Sequence, residues 1–141
     1  GDHQPSVEDE FYYEISGLSE DTVTSEESLI WYETPYLIWT NYGLEKQDLG
    51  DMSAFYLSSE MLQMAGLETT PYQKFLLGLR EVLPVIHGRG CLDGDGNYYR
   101  LTGAESDEAF VQWLVNYDCL VYNHSYSRSA MQKLFHLDGD A

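Results

Sequence analysis

Between Thr70 and Pro84 the chain has little choice of conformation. Thr70 is a good helix N-cap, and Pro71 suits the first helical position, where its missing N–H is no loss. Tyr72, Phe75, Leu79 and Val82 then recur at helical spacing. A residue that precedes proline is pushed out of the α region, so this helix must finish before Pro84. The segment ahead of it has the same period: Ala54, Leu57, Met61 and Ala65 predict a helix within 51–65, with Gly66 as its stop.

Shorter elements flank this pair. Ser6 and Asp9 imitate a capping box ahead of Phe11, Tyr12 and Ile15, and Gly17 ends that helix. Thr24 and Glu27 repeat the spacing before Leu29, Ile30 and Trp31. The stretch TPYLIWTNY, with Pro35 near its start and Asn41 near its end, predicts a buried or half-buried strand. VIHG and CLDGDGNYYRL predict further short strands around a Gly-rich turn, and with YLIWT they suggest a small sheet. A long helix is expected over 105–123, burying Phe110, Trp113, Leu114, Tyr117, Leu120 and Val121, followed by a shorter one through Ala130, Leu134 and Phe135. The expected class is α+β: a small antiparallel or mixed sheet with several packed helices, in a single unit over 1–141.

Seven Lys and Arg against 24 Asp and Glu give a net charge of −17, so the field of the whole protein opposes a nucleic-acid partner. No apolar run reaches the roughly 18–20 residues that cross a bilayer, and the opening residues lack the pattern of a signal peptide, so a soluble chain is expected. Cys91 and Cys119 have no zinc-type spacing and read as two ordinary thiols.

Motifs for chemistry are sparse. Asp93, Asp95 and Asn97 alternate like the first ligands of an EF-hand, but Tyr98 stands where the sharp-turn Gly belongs and Ala104 where the bidentate Glu belongs. A tight turn is the better reading. His87, His124 and His136 have no partner legible in the sequence, and no GxSxG elbow, HExxH or phosphate loop occurs. Asn123, His124 and Ser125 form a weak glycosylation sequon. The twelve Tyr raise the idea of a sugar-stacking surface, although most aromatics fall at core spacings. Asp2 and His3 are the remaining candidates: adjacent Asp and His can ligate one divalent ion from a loop, but two ligands are not a site.

Several stretches together resemble the C-terminal part of enzymes related to lipoteichoic acid synthase, the phosphoglycerol transferase and sulfatase-like branch of the alkaline phosphatase superfamily. They are GDHQPSVEDEFY, TPYLIWTNYGLE, SAFYLSSEMLQMAGLETTPYQKFLLGLREVLPVI, DGNYY and VQWLVNYDCLVYN, in the order expected there and covering most of 1–123. The resemblance implies that residues 1–5 are a remnant of a metal-binding loop in which Asp2 and His3 hold a catalytic divalent ion, usually manganese. It implies no catalytic residue in this chain, because the family's Thr nucleophile, an acidic ligand and the substrate-orienting His and Arg lie upstream.

The expectation is therefore a C-terminal subdomain of an alkaline phosphatase-like α/β enzyme, inactive alone. Its partner would be the upstream catalytic domain of the same polypeptide, and its parent would be membrane-anchored with an extracellular catalytic domain. The parent's substrate would be a glycerophospholipid or another phosphate or sulfate ester. The alternatives are a non-catalytic glycan-binding module and an acidic interaction domain.

Overall fold

The computed structural model describes residues 5–101, 109–126 and 132–137. They form an α+β arrangement in which helices pack around a three-stranded antiparallel sheet. The helices are α1 (Asp9–Ser16), α2 (Leu57–Met64), α3 (Pro71–Val82) and α4 (Val111–Tyr126), with 3₁₀ turns at Glu27–Tyr32, Ala54–Tyr56 and Gln132–Leu134. The strands are β1 (Val85–His87), β2 (Gly90–Leu92) and β3 (Tyr98–Tyr99), in spatial order β1-β2-β3. Val85 pairs with Leu92 and His87 with Gly90, while Cys91 pairs with Tyr99.

Helix α3 forms where its boundary residues dictate. Thr70 Oγ1 accepts the Gln73 N–H at 3.2 Å, and Gln73 Oε1 accepts the Thr70 N–H at 2.8 Å, a complete capping box. Leu76, Leu79 and the following Leu83 are buried, and they meet Tyr56, Cys91 and Phe110 in the core. Phe75 packs on Trp113 of α4, with ring centroids 5.4 Å apart. Helix α2 ends in a paired hydrogen-bond motif: the Leu67 N–H reaches Leu62 O and the Gly66 N–H reaches Gln63 O, both at 3.0 Å. That geometry needs a left-handed residue, and Gly66 supplies it with φ 67°.

The face that α2 buries differs from the one its sequence period suggests. Ala54 and Met61 are exposed, whereas Tyr56, Ser59 and Glu60 are buried. Tyr56 is the reason: its large ring enters the core and its hydroxyl donates to Leu83 O at 2.9 Å, turning the helix toward α3. Glu60 follows it inward because Arg80 meets it there.

Three other expectations change. Ser6 does not cap α1, whose N-cap is Glu8 without a side-chain bond, and Phe11 and Ile15 are exposed while Tyr13 packs on Trp31 at 5.0 Å. Helix α4 begins at Val111, and Val121 lies on its exposed side. The stretch TPYLIWTNY forms neither helix nor strand and belongs to no sheet, so the strand expected there is absent among the described residues. The 102–108 part of the predicted long helix and Ala130 lie outside the described residues.

The hairpin sits on the core through Cys91 and is tied to the chain ahead of α2 through Ser53. Ser53 Oγ donates to Ile86 O at 2.8 Å and accepts the Ile86 N–H at 2.7 Å, while the Ser53 N–H donates to Pro84 O at 2.9 Å. The outer edge of β1 is thus partly occupied. Gly90 permits the Tyr98 ring to cross β2, since a Cβ there would lie 2.4 Å from it.

Candidate functional site

The most chemically loaded loop is 93–97. Asp93 Oδ1 accepts the backbone N–H groups of Asp95 and Asn97, and Oδ2 accepts Asn97 Nδ2 and the Tyr99 hydroxyl, all at 2.9 Å. Four donors around one carboxylate hold its pKa down to about 2, chiefly through the Asn97 contacts. They also occupy the oxygens that a cation would need. The loop is a turn organised around Asp93, with Gly96 at φ 81°.

His87 lies at the end of β1, half-buried against Tyr32 with ring centroids 4.4 Å apart. Its Nδ1 accepts the Arg89 N–H at 3.2 Å, which leaves the neutral ring's proton on Nε2. Burial, with a smaller contribution from Arg89, lowers its pKa. No carboxylate orients it among the described residues, so it lacks the relay that a general base normally has. Arg89 itself stands over the Tyr32 ring at 5.5 Å, and its Nη1 donates to Ser28 Oγ at 3.3 Å.

The remaining candidates separate rather than converge. Cys91 is fully buried in the core and its thiol is pushed up to about 11, first by burial, which makes it inert. Cys119 is exposed on α4, and both cysteines are free. His124 packs on Phe135 with centroids 4.5 Å apart, and His136 is exposed. Asp2 and His3 lie outside the described residues. Among the described residues no group of three His, Cys, Asp or Glu side chains is placed to hold a metal ion.

What sequence reasoning missed is a large trough. Residues 33–51 arch away from the helices, and between them and Ile15, Ile30, Trp31 and Met64 lies a cavity of about 1290 Å³. Leu37 is 87% exposed and Trp39 77% exposed on this arch. The arch is fastened at its far end, where Arg80 Nη2 donates to Leu49 O at 2.6 Å and Arg80 Nη1 to Glu60 Oε1 at 2.7 Å. The Tyr36 hydroxyl adds a bond to Gly50 O at 2.7 Å. The signal was present in sequence as a charge-free window, 34–44, in a chain otherwise dense in acids.

No family model, curated protein or solved structure matches this chain. Among the described residues no helix is long and apolar enough to cross a membrane.

Proposed function

We propose that this chain is the C-terminal part of a metal-dependent phosphoglycerol transferase or sulfatase-like enzyme acting on phosphate or sulfate esters at the cell surface. The observation that carries the reading is the Gly1-Asp2-His3 motif followed, in order, by the stretches quoted above. Asp2 and His3 would contribute two ligands to a divalent ion, manganese in the family resembled, and the remaining ligands and the nucleophile would come from the preceding catalytic domain. The packed region built on α2, α3 and the hairpin supports that domain and performs no chemistry itself.

An antibody raised against this chain tests the reading on cell fractions of the source organism. A membrane-associated species several times larger than 16.2 kDa is expected, and a species of 16.2 kDa would overturn the reading. The purified chain should also turn over no glycerophosphodiester or sulfate ester above an Asp2→Ala, His3→Ala control.

A second reading, a glycan-binding module, is favoured by one feature. Tyr122 and Tyr126 stack at 5.6 Å on α4, 65% and 74% exposed. Saturable glycan binding that is lost in Tyr126→Ala would support it.

A further inference from the structure

We infer that His87 is an acid-released latch: while its ring is neutral it helps to hold the N-terminal layer, α1 with the turn at 27–32, against the β1–β2 hairpin, and protonation frees that layer. Helix α1 and the turn form one layer, because Tyr13 packs on Trp31 at 5.0 Å and Trp31 Nε1 donates to Ser16 Oγ at 3.3 Å. The layer is tied to the rest of the molecule at a narrow place. Among the described residues, every hydrogen bond and ring contact between 5–32 and 52–137 is made by His87 or Arg89. His87 stacks on Tyr32 at 4.4 Å, Arg89 stands over the same ring at 5.5 Å, and Arg89 Nη1 donates to the buried Ser28 Oγ at 3.3 Å.

The protonation state of one atom sets the latch. His87 Nδ1 accepts the Arg89 N–H at 3.2 Å, which closes the turn through Gly88 and so fixes where the Arg89 side chain leaves the hairpin. A protonated imidazole carries hydrogen on both nitrogens and accepts nothing. In acid the Arg89 N–H therefore loses its acceptor, and a second cation stands beside the guanidinium at one ring. A Tyr ring attracts a cation, but Arg89 already holds that place.

The surrounding groups do not offset this. Tyr32 faces His87 from the 27–32 turn and Arg89 faces it from its own hairpin, while Glu27 of the turn is engaged by Thr24. Helix α1 brings up Tyr13, which lies within electrostatic reach of Arg89 and of Asp9, Glu10 and Glu20. Both influences on the His87 proton, burial first and then Arg89, favour the neutral ring. A histidine whose folded pKa is lowered contributes stability in full above its ordinary value of about 6.5 and loses it as pH falls through the folded one.

Hydrogen–deuterium exchange of the 141-residue chain at about pH 7.5 and about pH 5, corrected for intrinsic rates, tests the latch. Amides of 9–32 and of Arg89 should exchange about 5–10-fold faster in acid, the equivalent of one lost hydrogen bond, while the Leu79 amide stays unchanged. His87→Asn, whose amide oxygen can accept the Arg89 N–H without titrating, should show no such change. NMR of the unaltered chain gives a reading that needs no variant: the His87 ring and the Arg89 amide should titrate together, with a midpoint below about 6.5. An acid response that survives His87→Asn, an Arg89 amide that ignores the His87 titration, or unchanged exchange at 9–32 would each overturn the latch. Acceleration that includes Leu79 would overturn it too, since the whole chain would then be opening.

Discussion

Helix α3 and the arch at 34–44 both carry large apolar side chains behind a proline, and these reach opposite states. Leu79 of α3 is fully buried, while Leu37 of the arch is 87% exposed. The difference is where each finds its hydrogen bonds. A helix satisfies its backbone within itself, so α3 needs only one apolar layer, which Tyr56, Cys91 and Phe110 provide. A strand satisfies nothing alone, and among the described residues the arch has no strand beside it. Large apolar side chains therefore make a core in one place and line an open trough in the other.

The largest effect should come from the core side of this contrast. Leu79→Ala removes a fully buried side chain from the contact with Tyr56 and Leu83, and should cost about 2–5 kcal/mol in urea unfolding of the isolated chain. Leu37→Ala in the same experiment should fall within about 0.5 kcal/mol of the parent chain. Equal costs would break the comparison, because they would mean that the arch already packs as a core.

Next comes the tie between the two regions. Arg80 bridges Glu60 of α2 and the Leu49 carbonyl of the arch. The Glu60 side chain is only 5% exposed and that of Arg80 21%, so Glu60→Ala leaves a half-shielded cation without its carboxylate. A loss of about 1.5–3 kcal/mol is expected from equilibrium unfolding, with faster amide exchange across 45–51. Loss of stability without any change at 45–51 would show that Arg80 serves α2 and α3 alone.

A smaller loss, about 1 kcal/mol, is expected for Thr70→Ala, which removes one half of the α3 capping box. The arch should not respond. Unfolding midpoint and exchange at 37–41, measured together, would separate a helix-end effect from a global one.

Elements whose determinants are local were legible in the sequence. The capping boxes at Thr70 and at Thr24 form as their spacing implies; Glu27 N–H donates to Thr24 Oγ1 at 3.1 Å and Thr24 N–H to Glu27 Oε2 at 2.8 Å. Gly17 and Gly66 take the left-handed conformation after their helices, and the DGDGN turn closes a hairpin. The α+β class follows from these. Illegible were the choices made by distant partners. The buried face of α2 is set by the Tyr56 hydroxyl reaching Leu83, 27 residues away, which no period can reveal. The exposure of Phe11 and Ile15 and that of Leu37 and Trp39 have the same origin, since a pattern records which side chains are apolar and not what stands opposite them. For the candidate site, Asp93 was legible as a turn residue, while the trough depends on an arch that sequence reasoning had placed in the local sheet.

The smallest effect is local and depends on pH. Asp93 has a folded-state pKa of about 2, below the ordinary Asp value of about 3.9. A lowered carboxyl contributes stability above its unfolded pKa and loses it as pH falls toward the folded one. Exchange and NMR shifts of the Asp95 and Asn97 amides should therefore change between about pH 4 and 2, as the two N–H bonds to Oδ1 weaken. Asp93→Asn should abolish that pH window, because an amide does not titrate there, and its NH2 can accept neither the Asn97 Nδ2 nor the Tyr99 hydroxyl bond. The arch, whose 36–41 backbone makes no such bond to another described residue, should show only the intrinsic pH dependence of exchange across the same window. A matching transition in both regions would mean that they are coupled in acid, and the division between a self-satisfied core and an open arch would then have to be redrawn.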